Sequence, residues 1–321
     1  MLRTLLVLGV LFSGFLGQSQ ILPSQQAVHY KKNSLGGFSP ERTFTNCGKT
    51  GRNGPSQSDC DTAYASTNLD GEVTVSSGIQ SWTVPATGTY TIIAYGAKGG
   101  GPNGGDGAKI SGQFSLSEND VIKILVGQKG NYLAKDASGG GGTFVTKSPH
   151  NDNASIIVVA GGGGGSFVDN STSNGQITTA GADACCSQSN SHSPLGGTNG
   201  LGAGYSGNLS IIGGAGFITN GIGGGGTMSQ SYLNGGVGAN NEWSGDTGFG
   251  GGFGGGGDAN RKHATTYATG GGGGYSGGGV GYYFSTSTPT SGGGGGSYNN
   301  GSNTSNVAGN NSGHGKVEIS W

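Results

Sequence analysis

Charge is scarce in this 321-residue sequence: Asp, Glu, Lys and Arg together make up 10% of it, nearly in balance. With Arg3 removed as part of a leader, 14 basic residues face 16 acidic ones, a net charge of −2. That balance gives no electrostatic case for nucleic acid or an anionic membrane as partner. It also lacks the high-charge half of the composition that keeps chains disordered. No window shows a convincing 3.6-residue apolar period, which excludes long amphipathic helices. After the first 16 residues no apolar stretch approaches the about 20 needed to cross a bilayer, so no transmembrane anchor is expected.

Catalytic and metal-binding patterns are missing as well. The five histidines (His29, His150, His192, His263 and His314) are scattered, and none has a second ligand type at metal spacing. His314 sits in a Gly-His-Gly turn, where a structural role is expected. Chance Gly-x-Gly-x-x-Gly matches fail the strand-to-helix context that dinucleotide binding needs. No nucleophile elbow or Asp-rich calcium loop is present. The expectation is a non-enzymatic protein without cofactor or metal.

What is abundant is glycine, 76 of 321 residues, against a usual level of about 7%. It comes in runs of four and five rather than at every third position, which excludes collagen. The runs are Gly139–Gly142, Gly161–Gly165, Gly223–Gly226, Gly254–Gly257, Gly270–Gly274 and Gly292–Gly296. Fixing a backbone costs about 1–2 kcal/mol per residue, and glycine loses the most freedom. A net hydrogen bond returns only about 0.5–1.5 kcal/mol, so an isolated run is disordered. Side by side, as extended helices of the polyproline II type, the runs can order together. That helix has three residues per turn and no internal hydrogen bonds, so its amides bond outward. A bundle is favoured over disorder because flanking strands hold several run ends near one another.

The flanks read as strands. Arg3 followed by the apolar run Leu5–Leu16 and the small residues Gly17 and Ser19 is the order of a secretory signal. A polar leader fills 20–43. Short segments rich in β-branched and aromatic residues then alternate with turns: 71–77, 79–84, 89–95, 112–116, 121–126, 143–146 and 156–160. Lys316–Trp321 alternates Val317 and Ile319 with polar neighbours and is expected to pair back with the first group. The pattern is an all-β sandwich or jelly roll. The expected organisation is a signal at 1–19, a leader at 20–43, a framework at 44–160, a glycine-rich insertion at 161–312 and a closing strand at 313–321. Trp82 is expected in the core, while Trp243 and Tyr282–Phe284 are expected to be exposed in the insertion.

Cys47 and Cys60 bracket a turn-rich stretch and are expected to be bridged in an exported chain. Cys185 and Cys186 are adjacent; a vicinal bridge, pairing to another chain and free thiols all remain open. Asn-x-Ser/Thr acceptors at Asn153, Asn170, Asn208, Asn300, Asn303 and Asn310 are candidate glycan sites.

Three blocks follow one another, Phe44–Tyr64, Gly78–Gly100 (GIQSWTVPATGTYTIIAYGAKGG) and Asp120–Gly130 (DVIKILVGQKG), and the Trp-x-Val-Pro-Ala-Thr and Ile-Leu-Val-Gly-Gln patterns in the last two are specific. With Gly139–Lys147, Ile156–Gly164, Gly251–Gly257, Gly270–Gly278 and Gly313–Ile319 in the same order, residues 44–321 resemble the glycine-rich extracellular region of anaplastic lymphoma kinase and leukocyte tyrosine kinase receptors. The resemblance implies a tumour-necrosis-factor-like β-sandwich carrying an inserted bundle of glycine helices. It also implies a module that binds small secreted protein ligands. The sequence departs from those receptors in carrying no kinase part, no membrane span and no Cys-rich growth-factor-like module, so no signalling of its own is expected. Acidic residues precede the Gly251–Gly257 block in the family, which makes Glu242 and Asp246 the candidate ligand contacts. The expected function is a secreted binding module for an extracellular protein ligand or matrix partner. The alternative is a structural component of matrix, mucus, cuticle or a biomineral layer.

Overall fold

The computed structural model describes residues 41–185, 195–204, 211–224, 226–240, 250–259, 267–283 and 289–321. The protein is an all-β sandwich. One sheet runs in the order β1 (Glu41–Phe44), β15 (Lys316–Ser320), β4 (Gly88–Tyr95), β5 (Gly107–Leu116), β14 (Ser302–Asn311), with every pairing antiparallel. The second runs β13 (Tyr298–Asn299), β10 (Ile156–Ala160), β9 (Thr143–Lys147), β6 (Val121–Leu125), β3 (Ile79–Thr83), β2 (Val73–Ser76). A smaller third sheet joins β7 (Tyr132–Leu133), β8 (Asp136–Ala137), β11 (Tyr267–Thr269) and β12 (Gly281–Tyr283), and its β8–β11 pairing is parallel.

The two large sheets enclose the first core. Trp82 from β3 is 2% exposed and meets Phe44, Tyr90 and Trp321 at ring-centroid distances of 6.0, 6.5 and 5.7 Å. Around it pack Ile92, Ile110, Ile122, Ile124, Val317 and Ile319, the inward residues of alternating strands. Within the second sheet β9 and β10 are buried on both faces, which explains the unbroken apolar run of β10. Phe144, Ile156, Val159 and Leu125 point away from the first core. They meet Phe217, Tyr232, Phe253 and Tyr275 of the glycine-rich insertion in a second one. The insertion is thus seated on the sandwich by aromatics spaced between its glycines.

The runs at 161–165, 270–274 and 292–296 are ordered, and the hydrogen bonds among them repeat every third residue; Gly225 of the 223–226 run lies outside the described residues. Gly162 and Gly165 donate to Gly273 and Gly270 at 2.8 and 2.9 Å. The carbonyls of those same two residues accept from Gly295 and Gly292, both at 2.8 Å. Gly163 donates to Ala97 and accepts from Gly140; Gly164 donates to Ser173 and accepts from Gly105; the carbonyl of Gly161 accepts from Ala108. One run is therefore surrounded by six backbones, two for each of the three residues in its turn, as polyproline II geometry requires. A Cβ on Gly162, Gly163 or Gly164 would stand 2.4, 1.8 or 2.3 Å from a neighbouring carbonyl oxygen. Gly254 and Gly255 differ: their φ values of +101° and +80° place a turn at the start of that run.

Three features depart from the sequence expectation. The sheets are re-entered at β13 and β14, so the insertion closes before residue 298 rather than at 312. β14 is a polar edge strand, and its sequence SNTSNVAGNN carries no apolar alternation to announce it. The stretch between Cys47 and Cys60 is part helix, α1 (Gln57–Tyr64). A capping box opens it: Ser56 Oγ accepts from Asp59 N–H while the Asp59 carboxylate accepts from Ser56 N–H. Cys60 and Tyr64, four residues apart, face the core. Tyr282, expected to be exposed, is buried with Ile211, Ala259, Ala268 and Val280.

Trp82→Ala should cost about 3–5 kcal/mol, read as a lowered chemical-denaturation midpoint; an unchanged midpoint would remove Trp82 from the core. In the bundle, a Cβ at Gly272 would meet the Gly162 oxygen at 2.2 Å and Gly295 N at 2.9 Å. Overpacking of this kind costs about 1–3 kcal/mol. Gly272→Ala should therefore lower the melting temperature and speed amide exchange in 161–165 and 292–296 as well as in its own run. Gly88→Ala, with its nearest atom at 3.9 Å, is the control that should change neither.

Candidate interaction surface

The disulfide expected between Cys47 and Cys60 is formed, with Cα atoms 4.9 Å apart. It ties α1 to a loop that docks on the glycine bundle. Arg52 Nε donates to the Gly238 carbonyl, Gly238 N–H donates back to Arg52, and Phe253 N–H donates to Gly51. Cys185 is also disulfide-bonded; Cys186 lies outside the described residues.

Both described histidines are hydrogen-bonded to framework groups. His314 Nδ1 accepts the Lys129 N–H at 3.1 Å, and His150 Nδ1 lies 2.9 Å from Thr146 Oγ1. Thr146 Oγ1 in turn meets the Tyr232 hydroxyl at 2.7 Å in the second core. Burial holds Tyr232 up to about 12. Burial, with Lys129 and Lys123 respectively, lowers the pKa of His314 and His150. His29, His192 and His263 lie outside the described residues. No cluster of three or more metal-ligating side chains occurs among the described residues.

The unusual surface belongs to the insertion. Most charged side chains sit on the framework, as in the Lys98–Asp106 ion pair at 2.6 Å and the Lys316–Glu318 pair at 2.5 Å. From Leu195 to Asn240, by contrast, there is not one Asp, Glu, Lys or Arg. Within that stretch Leu195, Leu201, Ile218, Ile222, Met228 and Leu233 are exposed, Leu195 to 59% and Ile222 to 46%. Backbone bonds hold their segments side by side: Ile218 N–H to Gly200, Ile222 N–H to Ala203, Gly221 N–H to Ser229 and Leu233 N–H to Phe217. Beneath them Phe217 stacks on Tyr232 at 5.1 Å and 11°, and Tyr232 meets Phe144 of β9 at 5.1 Å. These apolar side chains therefore stand on a rigid base. Large apolar side chains left exposed on an ordered backbone are candidates for an interaction surface.

Glu242 and Asp246, along with Trp243, fall in 241–249, outside the described residues. The ends of that segment are placed. Asn240 bridges Thr227 in both directions, and Gly251 N–H donates to Ala239, so the chain leaves and returns at one point beside Met228. Of the glycan candidates, Asn153, Asn300, Asn303 and Asn310 are exposed, and Asn170 Oδ1 caps a short turn by accepting from Thr172 N–H. Asn208 lies outside the described residues.

A stretch of 129 residues is 39% identical to the leukocyte tyrosine kinase receptor of Mus musculus, covering 37% of this chain. Part of the chain is related to that receptor family. The matched stretch is 14% of the receptor's length. No protein-family model matches the chain. Among the described residues no helix is long and apolar enough to cross a membrane.

The two lowered histidines set a pH dependence. A histidine whose folded pKa lies below its unfolded value of about 6.5 favours the unfolded chain once protons bind. Stability should be full above about pH 6.5 and fall as pH drops below it. His314→Gln with His150→Gln should flatten the slope of melting temperature against pH between 6.5 and 5. An unchanged slope would place its origin elsewhere.

Proposed function

We propose that this chain is an extracellular recognition module without catalytic activity, which engages a protein partner through the uncharged apolar face of its glycine-rich insertion. The observation that carries the reading is the set of exposed aliphatic side chains on hydrogen-bonded backbone, in a stretch with no charge between 195 and 240. Burying about 100 Å² of apolar surface on such a face contributes about 2.5 kcal/mol. A rigid presenting surface loses little entropy on association. Glu242 and Asp246 are the first carboxylates after this stretch, which suits a partner with basic groups beside its own apolar contact. The relationship to a receptor supports recognition, and export would place the chain where secreted proteins meet it.

Ile222→Asp with Met228→Asp tests the reading. Both side chains are exposed, so the melting temperature should hold while capture of a partner from the native secretion is lost. Glu242→Gln with Asp246→Asn should weaken the same capture and reduce its salt dependence. Retention of an unchanged set of captured proteins by Ile222→Asp/Met228→Asp would overturn the assignment of this face.

A further inference from the structure

The two large sheets have four outer strands, and three of them are blocked. β2 is covered by the side chain of Gln57 from α1, which stands in for a strand peptide. Its Nε2 donates to the Val73 carbonyl at 2.9 Å and its Oε1 accepts from Val75 N–H at 2.7 Å. β1 is four residues long, and Asn68 donates to its Glu41 carbonyl. β13 is two residues long. β14 differs from all three: it has ten residues, pairs with β5 on one side, and has no strand on the other among the described residues. Long free edges invite pairing with another chain and are ordinarily blunted by charge, proline or β-bulges. β14 has register shifts between Ser302 and Ser305 and between Val307 and Asn311, which leave Ser305–Val307 in regular pairing with β5. It contains neither charge nor proline.

Its asparagines supply another device. Six lie between 299 and 311, in two groups of three. Asn299, Asn306 and Asn311 are half-buried and form internal bonds. Asn299 Nδ2 donates to Ser111 O and Asn306 Oδ1, and Asn311 Nδ2 donates to Gly96 O and His314 O. None of the three has Ser or Thr two residues on. Asn300, Asn303 and Asn310 are exposed, and each is followed at that distance by Ser302, Ser305 and Ser312. Exposure and the acceptor motif coincide at all six positions. Chance motifs in an Asn-rich stretch would fall on both groups alike.

We propose that Asn310, together with Asn300 or Asn303, carries an N-linked oligosaccharide, and that these sugars cover the free edge of β14 and keep the chain monomeric. In the transfer, the asparagine amide nitrogen forms a C–N bond to the anomeric carbon of an oligosaccharide held on a lipid pyrophosphate. The anomeric C–O bond breaks, the lipid pyrophosphate leaves with the bonding electrons, and one amide proton is released. The proposal rests on export through a compartment that holds such a donor. A branched, hydrated sugar at each end of a ten-residue strand blocks the approach of a second strand, which must come within about 4.8 Å.

The full chain, expressed in a eukaryotic secretory cell, tests this. Enzymatic glycan release in 18O water should label Asn310 and at least one of Asn300 and Asn303, and light scattering should give the mass of one chain. Ser302→Ala, Ser305→Ala and Ser312→Ala together remove the acceptors and leave every asparagine in place. That variant should keep its circular dichroism and rise to the mass of two or more chains. Val307→Lys added to it should restore the monomer by putting charge on the bare edge. Asn300→Gln, Asn303→Gln and Asn310→Gln form the second series, should the serine variants fold poorly. Unlabelled asparagines, or a glycan-free protein that stays monomeric in either series, would overturn the proposal.

Discussion

Backbone amides without side chains need partners on every side, and the structure is built around meeting that need. A glycine run has no Cβ to bury and no internal hydrogen bond to rely on. It becomes ordered only when its N–H and C=O groups meet other backbones. The run at 161–165 shows how completely this is met, with six neighbouring segments supplying partners in a three-residue rhythm. The same geometry fixes composition. At Gly162, Gly163 and Gly164 a methyl group would stand within 2.4 Å of a neighbouring carbonyl oxygen, so glycine is required there by contact rather than by turn geometry.

Such a bundle cannot begin by itself, because ordering the first run costs entropy before any neighbour returns a bond. The sandwich overcomes this. β5, β6, β9 and β10 each lead into or out of a glycine segment, so the sheets hold Gly96–Gly105, Gly127–Gly130, Gly139–Gly142 and Gly161–Gly165 beside one another. Phe217, Tyr232, Phe253 and Tyr275 then seat the remaining segments on the second face of the sheet. The disulfide-tied loop at 47–60 adds a further clamp through Arg52 and Gly51. Hydrophobic burial and backbone hydrogen bonding act on the same segments here, since the aromatics that pack and the glycines that bond alternate along one chain.

A rigid bundle with little charge has a consequence for recognition. Side chains that interrupt it either point down, as Phe217 and Tyr232 do, or stand outward on a base that cannot collapse over them, as Ile218 and Leu233 do. An ordinary loop of this length would fold its aliphatic groups inward. Here the backbone is committed to its neighbours, which leaves those groups available to a partner.

The sequence determined the strands whose side chains alternate. Ile79–Thr83, Gly88–Tyr95, Val121–Leu125, Ile156–Ala160 and Lys316–Ser320 lie within a residue or so of where apolar periodicity puts them, because each buries at least one face. It also pointed to the bridge between Cys47 and Cys60, through their spacing in an exported chain, and excluded collagen through the spacing of the glycines; that the runs stack rather than stay disordered was decided by the backbones around them. Tertiary structure decided the rest. β14 is a strand because β5 offers it a ladder, and nothing in SNTSNVAGNN says so. Tyr282 is buried because Ile211, Ala259, Ala268 and Val280, from separate segments of the insertion, close around it. The exposed aliphatic face is of the same kind: sequence shows Leu201, Ile222 and Met228 as isolated apolar residues among glycines. Only hydrogen bonds between distant backbones hold the segments that carry them side by side, because glycine carries no side-chain pattern from which its neighbours can be read.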